Sequence, residues 1–291
     1  MKKAAILYIV LAGVLWGTSG IFVHYLSPYG FTSFQMTAVR AIVSFLCILV
    51  YALVKDRRLL RAKPLDLLIS LGIGTSLFFT ASCYYLSMQM TSVSTAVVLM
   101  YMSPIYVTIF AVLFLKERLT LKKLVAVLGM LVGCALVSGI VGGFSFDTAG
   151  LLIGIFSGVA YASYNILTKI SVERRVDPIT VTLYGFLFMS LISVFFFEPA
   201  KLLGAISVSP AVSIPLLLGL GIFTFVVPYF LYTLAMKHLA AGTASALAVV
   251  EPMAATLFSI VLFGERPDLF SIIGTLLILG AIFMIGKAEK E

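Results

Sequence analysis

The sequence divides into ten apolar stretches joined by short polar connections, and that division limits what the chain can become. The stretches cover residues 4–26, 33–54, 65–86, 94–115, 121–140, 148–169, 179–197, 212–234, 243–263 and 269–285. Each lies near the roughly 20 residues that an α-helix needs to cross the hydrocarbon of a bilayer. Backbone in lipid must satisfy its own hydrogen bonds, so stretches of this length read as helices. Charged residues make up 11% of the chain, against about 25% in a soluble domain. The expected fold is an all-α integral membrane protein with ten transmembrane helices and no soluble domain.

A net charge of +8 would suit a nucleic-acid partner if it clustered on a soluble surface. Here the distribution points to a lipid bilayer instead. With the N-terminus inside, Lys201 and Arg266 are the basic residues on outer segments, and Arg40 lies within a span. The rest of the 20 Lys and Arg fall on cytoplasmic segments. That asymmetry is the positive-inside pattern and sets both termini in the cytoplasm. Lys2-Lys3 ahead of an apolar run imitates a secretory signal, but the run is long and lacks an A-x-A site, so an uncleaved first span is expected. Cys47, Cys83 and Cys134 all fall within spans, at no metal-like spacing, and read as small packing residues.

The ninth stretch carries Glu251 and Pro252 near its middle. A carboxylate at that depth costs about 3 kcal/mol on insertion scales unless it is protonated, paired or hydrated. Proline removes a backbone donor and frees the carbonyl one turn earlier. Two such residues side by side point to a polar cavity between helices. Residues 85–118 laid on 233–266, an offset of 148, match at ten of 34 positions. The matches include Thr95/Thr243, Pro104/Pro252, Thr108/Thr256, Phe110/Phe258, Glu117/Glu265 and Arg118/Arg266. A proline and a Glu-Arg pair held in register indicate an internal duplication, with Ser103 standing where Glu251 stands in the second copy. Five spans per copy make the two repeats, residues 1–143 and 144–291, inverted relative to each other.

Other residues at depth add polar character. Trp16 lies mid-span beside Gly17, and the repeat sets Tyr161-Ala162 against this pair. Its indole N–H needs a partner in an apolar setting. Arg40, about two turns from the outer end of the second span, either snorkels to the interface or faces the bundle to meet Glu251 or a substrate carboxylate. Tyr84 and Tyr85, then Tyr101, Ser103 and Pro104, then Tyr161, Tyr164 and Asn165, place hydroxyls and an amide on the third, fourth and sixth spans. The eighth holds Pro228, Tyr229 and Tyr232. Gly13/Gly17, Gly129/Gly133 and Gly150/Gly154/Gly158 are stripes for close helix contact, the second of them between helices or between protomers. The seventh span, rich in Phe, reads as peripheral, and Pro199, Pro210 and Pro215 read as an outer loop.

Enzymatic chemistry finds little support. His24 and His238 fall at opposite faces, and no Walker loop or HExxH motif occurs. No cofactor or metal is called for. A transporter explains more: inverted halves provide two conformations that expose one central site in turn. Without a nucleotide motif the driving force is a gradient of substrate, protons or another ion. Glu251 is the candidate to exchange a proton for an organic ammonium, with Trp16, Tyr101 and Tyr161 adding cation–π attraction. A membrane scaffold or channel subunit, with purely structural polar residues, is the alternative.

The ten-span plan, Trp16-Gly17, Glu117-Arg118, Gly264-Glu265-Arg266 and Glu251-Pro252 together resemble the EamA family of the drug/metabolite transporter superfamily over nearly the whole chain. The resemblance implies a ten-helix inverted-repeat exporter in the inner membrane, moving amino acids, amines or related metabolites. It also implies a cavity lined by spans one, three, four, six, eight and nine, and so by Trp16, Tyr84, Tyr101, Tyr161, Tyr229 and Glu251. Arg40 lies outside that set. Monomer and homodimer both remain open.

Overall fold

The computed structural model describes residues 2–91, 93–115, 120–137, 147–196, 198–264 and 268–288. Among the described residues every regular element is a helix. Gly142-Gly143 and the pairs Glu117-Arg118 and Glu265-Arg266, singled out from the sequence, lie outside them.

The first apolar stretch is two helices, α1 (Lys2–Gly17) and α2 (Ser19–Leu26). They meet at Thr18, whose hydroxyl donates 2.6 Å to the Leu15 carbonyl. A capping box starts α3 (Ser33–Lys55): Gln35 N donates to Thr32 Oγ1, and Thr32 N donates to Gln35 Oε1. Each side chain thereby takes up an orphan donor of the first turn. Next come α4 (Pro64–Met90), α5 (Val93–Tyr101), α6 (Ser103–Phe114) and α7 (Leu121–Val137). The second half opens with α8 (Thr148–Glu173), α9 (Pro178–Val194), α10 (Pro199–Val208) and α11 (Pro210–Gly221). A π turn, Ile222–Val226, leads into α12 (Val227–Ala235), followed by α13 (Ala241–Ala248), α14 (Val250–Phe263) and α15 (Leu269–Ala288).

Among the described residues seven helices, some counted across a break, are long and apolar enough to cross a membrane. The number is eight if the bent pair Pro178–Val194 and Pro199–Val208 makes one span. The chain is therefore a multi-pass helical protein. The expected ten is a finer count than this: the helices over 121–137 and 178–194 are 17 residues long, and Leu269–Met284 also falls among the shorter apolar helices. Apolar side chains such as Val54, Phe195 and Val261 remain outside the bundle, as helices facing lipid require.

Each half's opening helix packs on the other half. α1 lies along α12, α13 and α14, and α8 lies along α4, α5 and α6. Small residues make these approaches possible. A Cβ added at Gly158 would stand 2.7 Å from the Leu99 carbonyl oxygen, and one at Gly154 only 2.6 Å from Ser87 Oγ. At the N-terminal end of the bundle Arg174 Nε donates 2.9 Å to Asp66 Oδ1, tying the end of α8 to the start of α4.

The Gly129/Gly133 stripe makes the close helix contact expected of it, with α15 of the same chain: a Cβ on Gly133 would fall 2.8 Å from the Gly274 carbonyl oxygen. Two expectations need correction. The seventh stretch is not peripheral. Along α9, Val181, Phe186 and Met189 are buried against α3 and α4, and a Cβ on Gly74 would meet the Gly185 carbonyl oxygen at 2.6 Å. Pro199 and Pro210 sit in the first turns of helices α10 and α11, where a missing N–H costs nothing, and Pro215 lies inside α11.

Candidate functional site

The site is built on two helix breaks. α13 ends at Val249, whose N–H donates 3.1 Å to the Ala246 carbonyl, and α14 restarts with Val250, Glu251 and Pro252. Pro252 has no N–H for the carbonyl one turn back, so the ladder is interrupted where Glu251 projects. One turn further on, Thr256 donates 3.1 Å from Oγ1 back to the Pro252 carbonyl, a back-bond that tends to bend a helix. α1 lies close against this break because it offers Gly17: a Cβ there would be 3.1 Å from the Glu251 carbonyl oxygen and 2.9 Å from the Ala255 nitrogen. That contact fixes Trp16, one residue earlier, at the level of Glu251.

Between these helices lies a cavity of about 530 Å³. Trp16, Tyr84, Tyr101, Tyr161 and Tyr229 supply aromatic wall, and Arg40 and Glu251 are the charged residues among the described residues that line it. At one end it reaches Val23, Ser33 and Met88, beside the connection between α2 and α3. Glu251 is partly accessible at the wall. The Tyr101 hydroxyl faces its carboxyl without closing a full hydrogen bond. Arg40 shares the wall with Glu251 and acts on it through space, but no ion pair within 4 Å joins them. Instead Arg40 Nη2 donates 3.0 Å to Thr37 Oγ1 and 3.3 Å to Tyr85 Oη, and the guanidinium lies 4.8 Å from the Phe225 ring centroid.

Phe225 is not legible in the sequence as a site residue. It belongs to the π turn three residues before Pro228, and a proline that displaces the carbonyl one turn back is a known cause of such a bulge. The bulge turns Phe225 and Tyr229 toward the same wall, with ring centroids 5.0 Å apart. Pro228 is the one signal in the sequence that could have pointed there.

Below the cavity, toward the N-terminal end of the bundle, aromatic rings close the floor. Trp16 and Tyr229 centroids are 5.0 Å apart, edge to face, and Tyr161 stacks on Tyr164 at 5.8 Å. Behind them Tyr232 donates to Asn165 Oδ1, whose amide nitrogen donates 2.6 Å to the Tyr161 carbonyl. Asn165 thus stands outside the lining, fully buried, because both ends of its amide are taken up by the helices around it. Ser103 also stands outside the lining: it opens α6 and is fully buried, with its hydroxyl unpartnered. Further down, Lys169 Nζ donates 3.0 Å to the Met236 carbonyl and 2.9 Å to that of Leu239, pinning the α12–α13 connection to α8. Trp16, Arg40, Tyr84, Tyr101, Tyr161, Tyr229 and Glu251, each a candidate from the sequence, come together around this cavity.

A bundle of apolar helices enclosing a charged, aromatic-walled cavity is an arrangement that suits a membrane transporter. The EamA-like transporter family matches the chain twice, over residues 3–139 and 148–287, and the chain belongs to that family. An uncharacterized transporter of Archaeoglobus fulgidus is 30% identical over 276 residues, covering 95% of this chain and 94% of the relative. The uncharacterized inner membrane transporter YicL of Salmonella typhimurium is 25% identical, covering 99% of this chain and 97% of its own. A solved crystal structure, 21% identical in sequence, superposes with a TM-score of 0.80 over 100% of this chain and 99% of that one, which shows a shared fold.

Proposed function

We propose that the protein is a secondary transporter that exports small amphipathic metabolites across the inner membrane by alternating access, coupled to protons through Glu251. On this reading residues 1–143 and 144–291 are five-helix repeats of opposite orientation, ten spans in all, with both termini in the cytoplasm. The observation that carries it is the cavity of about 530 Å³ with Glu251 in its wall, floored by aromatic rings at one end. Inverted repeats of one sequence pattern supply two conformations of similar energy, each opening the same site to one side. The floor beneath Trp16 and Tyr161 and the reach toward Ser33 fit the outward-facing member of that pair. Facing outward, Glu251 can give up a bound ammonium group and take a proton from the outer solution, and it releases that proton on the inner side as the helices rock.

Purified protein in liposomes is expected to show saturable flux of amphipathic amines or amino acids, increased by a pH gradient. Glu251→Gln keeps the shape of the side chain and removes its charge, so it should abolish the gradient-driven component while the protein stays folded. Flux in the variant equal to that of the unmodified protein would remove Glu251 from the mechanism. No saturable flux of any such solute, with or without a gradient, would remove the transporter reading itself.

A further inference from the structure

We propose that α2 is a hinged flap over the open mouth of the cavity, and that protonated His24 latches it shut on the end of α4. The inference rests on the alternating-access reading above and adds a second titrating group, placed at the gate and away from the bound solute.

The opposite end of the cavity is closed, and Lys169 shows how. Its Nζ donates 3.0 Å to the Met236 carbonyl and 2.9 Å to that of Leu239. The contact joins α8, which packs with α4, α5 and α6, to the end of α12, which packs with α1. Carbonyls at a helix end lack intrahelical donors and carry the negative end of the helix dipole, so a cation suits them. The first half holds the same parts in register. Trp16-Gly17 matches Tyr161-Ala162 at an offset of 145, which sets His24 against Lys169. The offset of 148 sets Met88 and Thr91 against Met236 and Leu239. The geometry agrees with both offsets. A Cβ on Gly13 would lie 3.5 Å from the Ala248 carbonyl oxygen, and one on its counterpart Gly158 would lie 3.3 Å from that of Met100, the counterpart of Ala248.

The two opening helices differ at one place. α8 runs unbroken through Ser163 to Lys169, whereas its counterpart breaks at Thr18. Beyond that break α2 packs on α11 and α14, with no comparable packing on α4 among the described residues. Val23 and Met88 line the open end of the cavity, and His24 is exposed. Straightening the chain at Thr18 carries His24 toward the carbonyls of Met88 and Thr91, as Lys169 already sits on theirs. A carboxylate stands at the same spot: a Cβ on Gly150 would lie 2.7 Å from Thr91 Cγ2 and 3.3 Å from Asp147 Oδ1. Lys169 has the same kind of neighbour, Glu173 Oε1 at 3.6 Å.

The other titratable and charged groups around α2 leave this role to His24. Tyr25 meets its ring edge to face at 5.3 Å, and Tyr29 lies in the next turn. α11 carries no such group, and α14 brings Glu251 in the cavity wall. Lys2, Lys3 and Tyr8 belong to the far end of α1. Glu198 and Lys201 on α10 pair with each other at 2.6 Å. Lysine stays charged across the physiological range, and histidine is the side chain that changes charge between about pH 5 and 8. On the orientation proposed above, the inner gate has a permanent latch and the outer gate one that sets in acid. The acidic outer solution then closes the carrier behind the proton that Glu251 has taken up.

The test is a distance across the mouth. Spin labels on Ser27→Cys and Ala149→Cys, in full-length protein whose native cysteines are replaced by alanine, report open and closed populations in lipid nanodiscs. Samples are compared at about pH 5 and about pH 8, the limits of the histidine range. Acid is expected to raise the closed-to-open ratio about tenfold, the scale of one hydrogen bond to a charged group. His24→Gln should stay open at both pH values, and His24→Lys should favour the closed form at both, as Lys169 does at the other end. Glu251→Gln should keep the acid response, which separates the latch from the coupling carboxylate. A ratio that ignores pH in otherwise unmodified protein would overturn the proposal and leave the transporter reading standing. So would an acid response that survives in His24→Gln or disappears in Glu251→Gln. Should His24→Gln fail to fold, His24→Lys decides: a ratio that still follows pH there overturns the latch. An acid response that depends on His24, in protein with no saturable flux, would keep the latch and sink the transporter reading.

Discussion

The two helix breaks, α5–α6 and α13–α14, are the same device used for different ends. At Met102 the backbone turns with φ −68° and ψ −11°, and at Val249 with φ −64° and ψ −3°. A proline follows each turn, and a threonine four residues beyond donates back to that proline's carbonyl, at 2.7 Å from Thr108 and 3.1 Å from Thr256. Each break is also held by a glycine on the opening helix of the other half, Gly158 for the first and Gly17 for the second. The difference is the residue before the proline. Ser103 is sealed among helices, and Glu251 looks into the cavity. The family pattern occurs twice in the chain, and of the two matched breaks the second alone sets a carboxylate in the cavity wall among the described residues.

Exchanging those two residues should give the largest effects. Ser103→Glu forces a carboxylate into a fully buried position, at a cost of about 3 kcal/mol on insertion scales, and is expected to leave little folded protein in the membrane. Glu251→Ser should fold, because the position borders a cavity, and should carry no gradient-driven flux. Ser103→Ala is the control: its hydroxyl has no partner, so its loss should be neutral or slightly stabilising in a thermal melt. A well-folded Ser103→Glu variant would mean the first break is as hydrated as the second, and the contrast would fail.

The glycine clasps come next. Gly17→Ala and Gly158→Ala each put a methyl within about 3 Å of opposing backbone, and overpacking of this kind costs about 1–3 kcal/mol. Gly20, one turn past Gly17, has nothing within 4 Å of the corresponding position, so Gly20→Ala should leave the melting midpoint unchanged. Equal midpoints for all three variants would show that the helices do not need these close approaches.

Much of this contrast is legible in the amino-acid sequence alone, and the reason is physical. Proline breaks a helix in any environment, so Pro104 and Pro252, with Thr108 and Thr256 in register behind them, announce themselves. Burial is different. Hydropathy separates water from everything else, and the interior of a helical membrane protein is as apolar as the lipid around it. Phe186 on α9, fully buried between helices, therefore carries the same signal as Phe195, 86% exposed at the end of that helix. Arg40 could equally have snorkelled. What turns it inward is Thr37 one turn earlier on its own helix and Tyr85 on a helix 45 residues away, and only the first of these is local. Asn165 shows the converse, a polar mid-span residue whose partner, Tyr232, lies 67 residues ahead and keeps it out of the cavity.

The floor under the charged break offers a smaller effect. Lys169, with its side chain 12% exposed, holds the α12–α13 connection through two carbonyls. Hydrogen bonds to a charged group contribute about 1.5–3 kcal/mol each at most, and less where water competes. Lys169→Met is expected to lower the melting midpoint and to speed thiol labelling of a Thr168→Cys reporter, since Thr168 is buried in the same floor. Unchanged labelling would mean that the aromatic rings above keep this end shut without the lysine.

The smallest effects separate the two breaks most cleanly. Thr108→Val and Thr256→Val remove the same bond, a hydroxyl donating to the carbonyl four residues back, and keep nearly the same volume. The net value of such a bond is about 0.5–1.5 kcal/mol, offset in part because a threonine back-bond bends and slightly strains the helix, so its loss should change both midpoints by similar, small amounts. The consequences for transport should differ. Thr256 lines the cavity beside Glu251, and Thr108 faces Gly242 at the α6–α13 contact. Thr256→Val should therefore raise KM for the transported solute several-fold, and Thr108→Val should leave it unchanged. Equal KM changes would show that the breaks act through helix bending alone, and the distinction between a structural and a functional copy would then have to rest on Glu251 by itself.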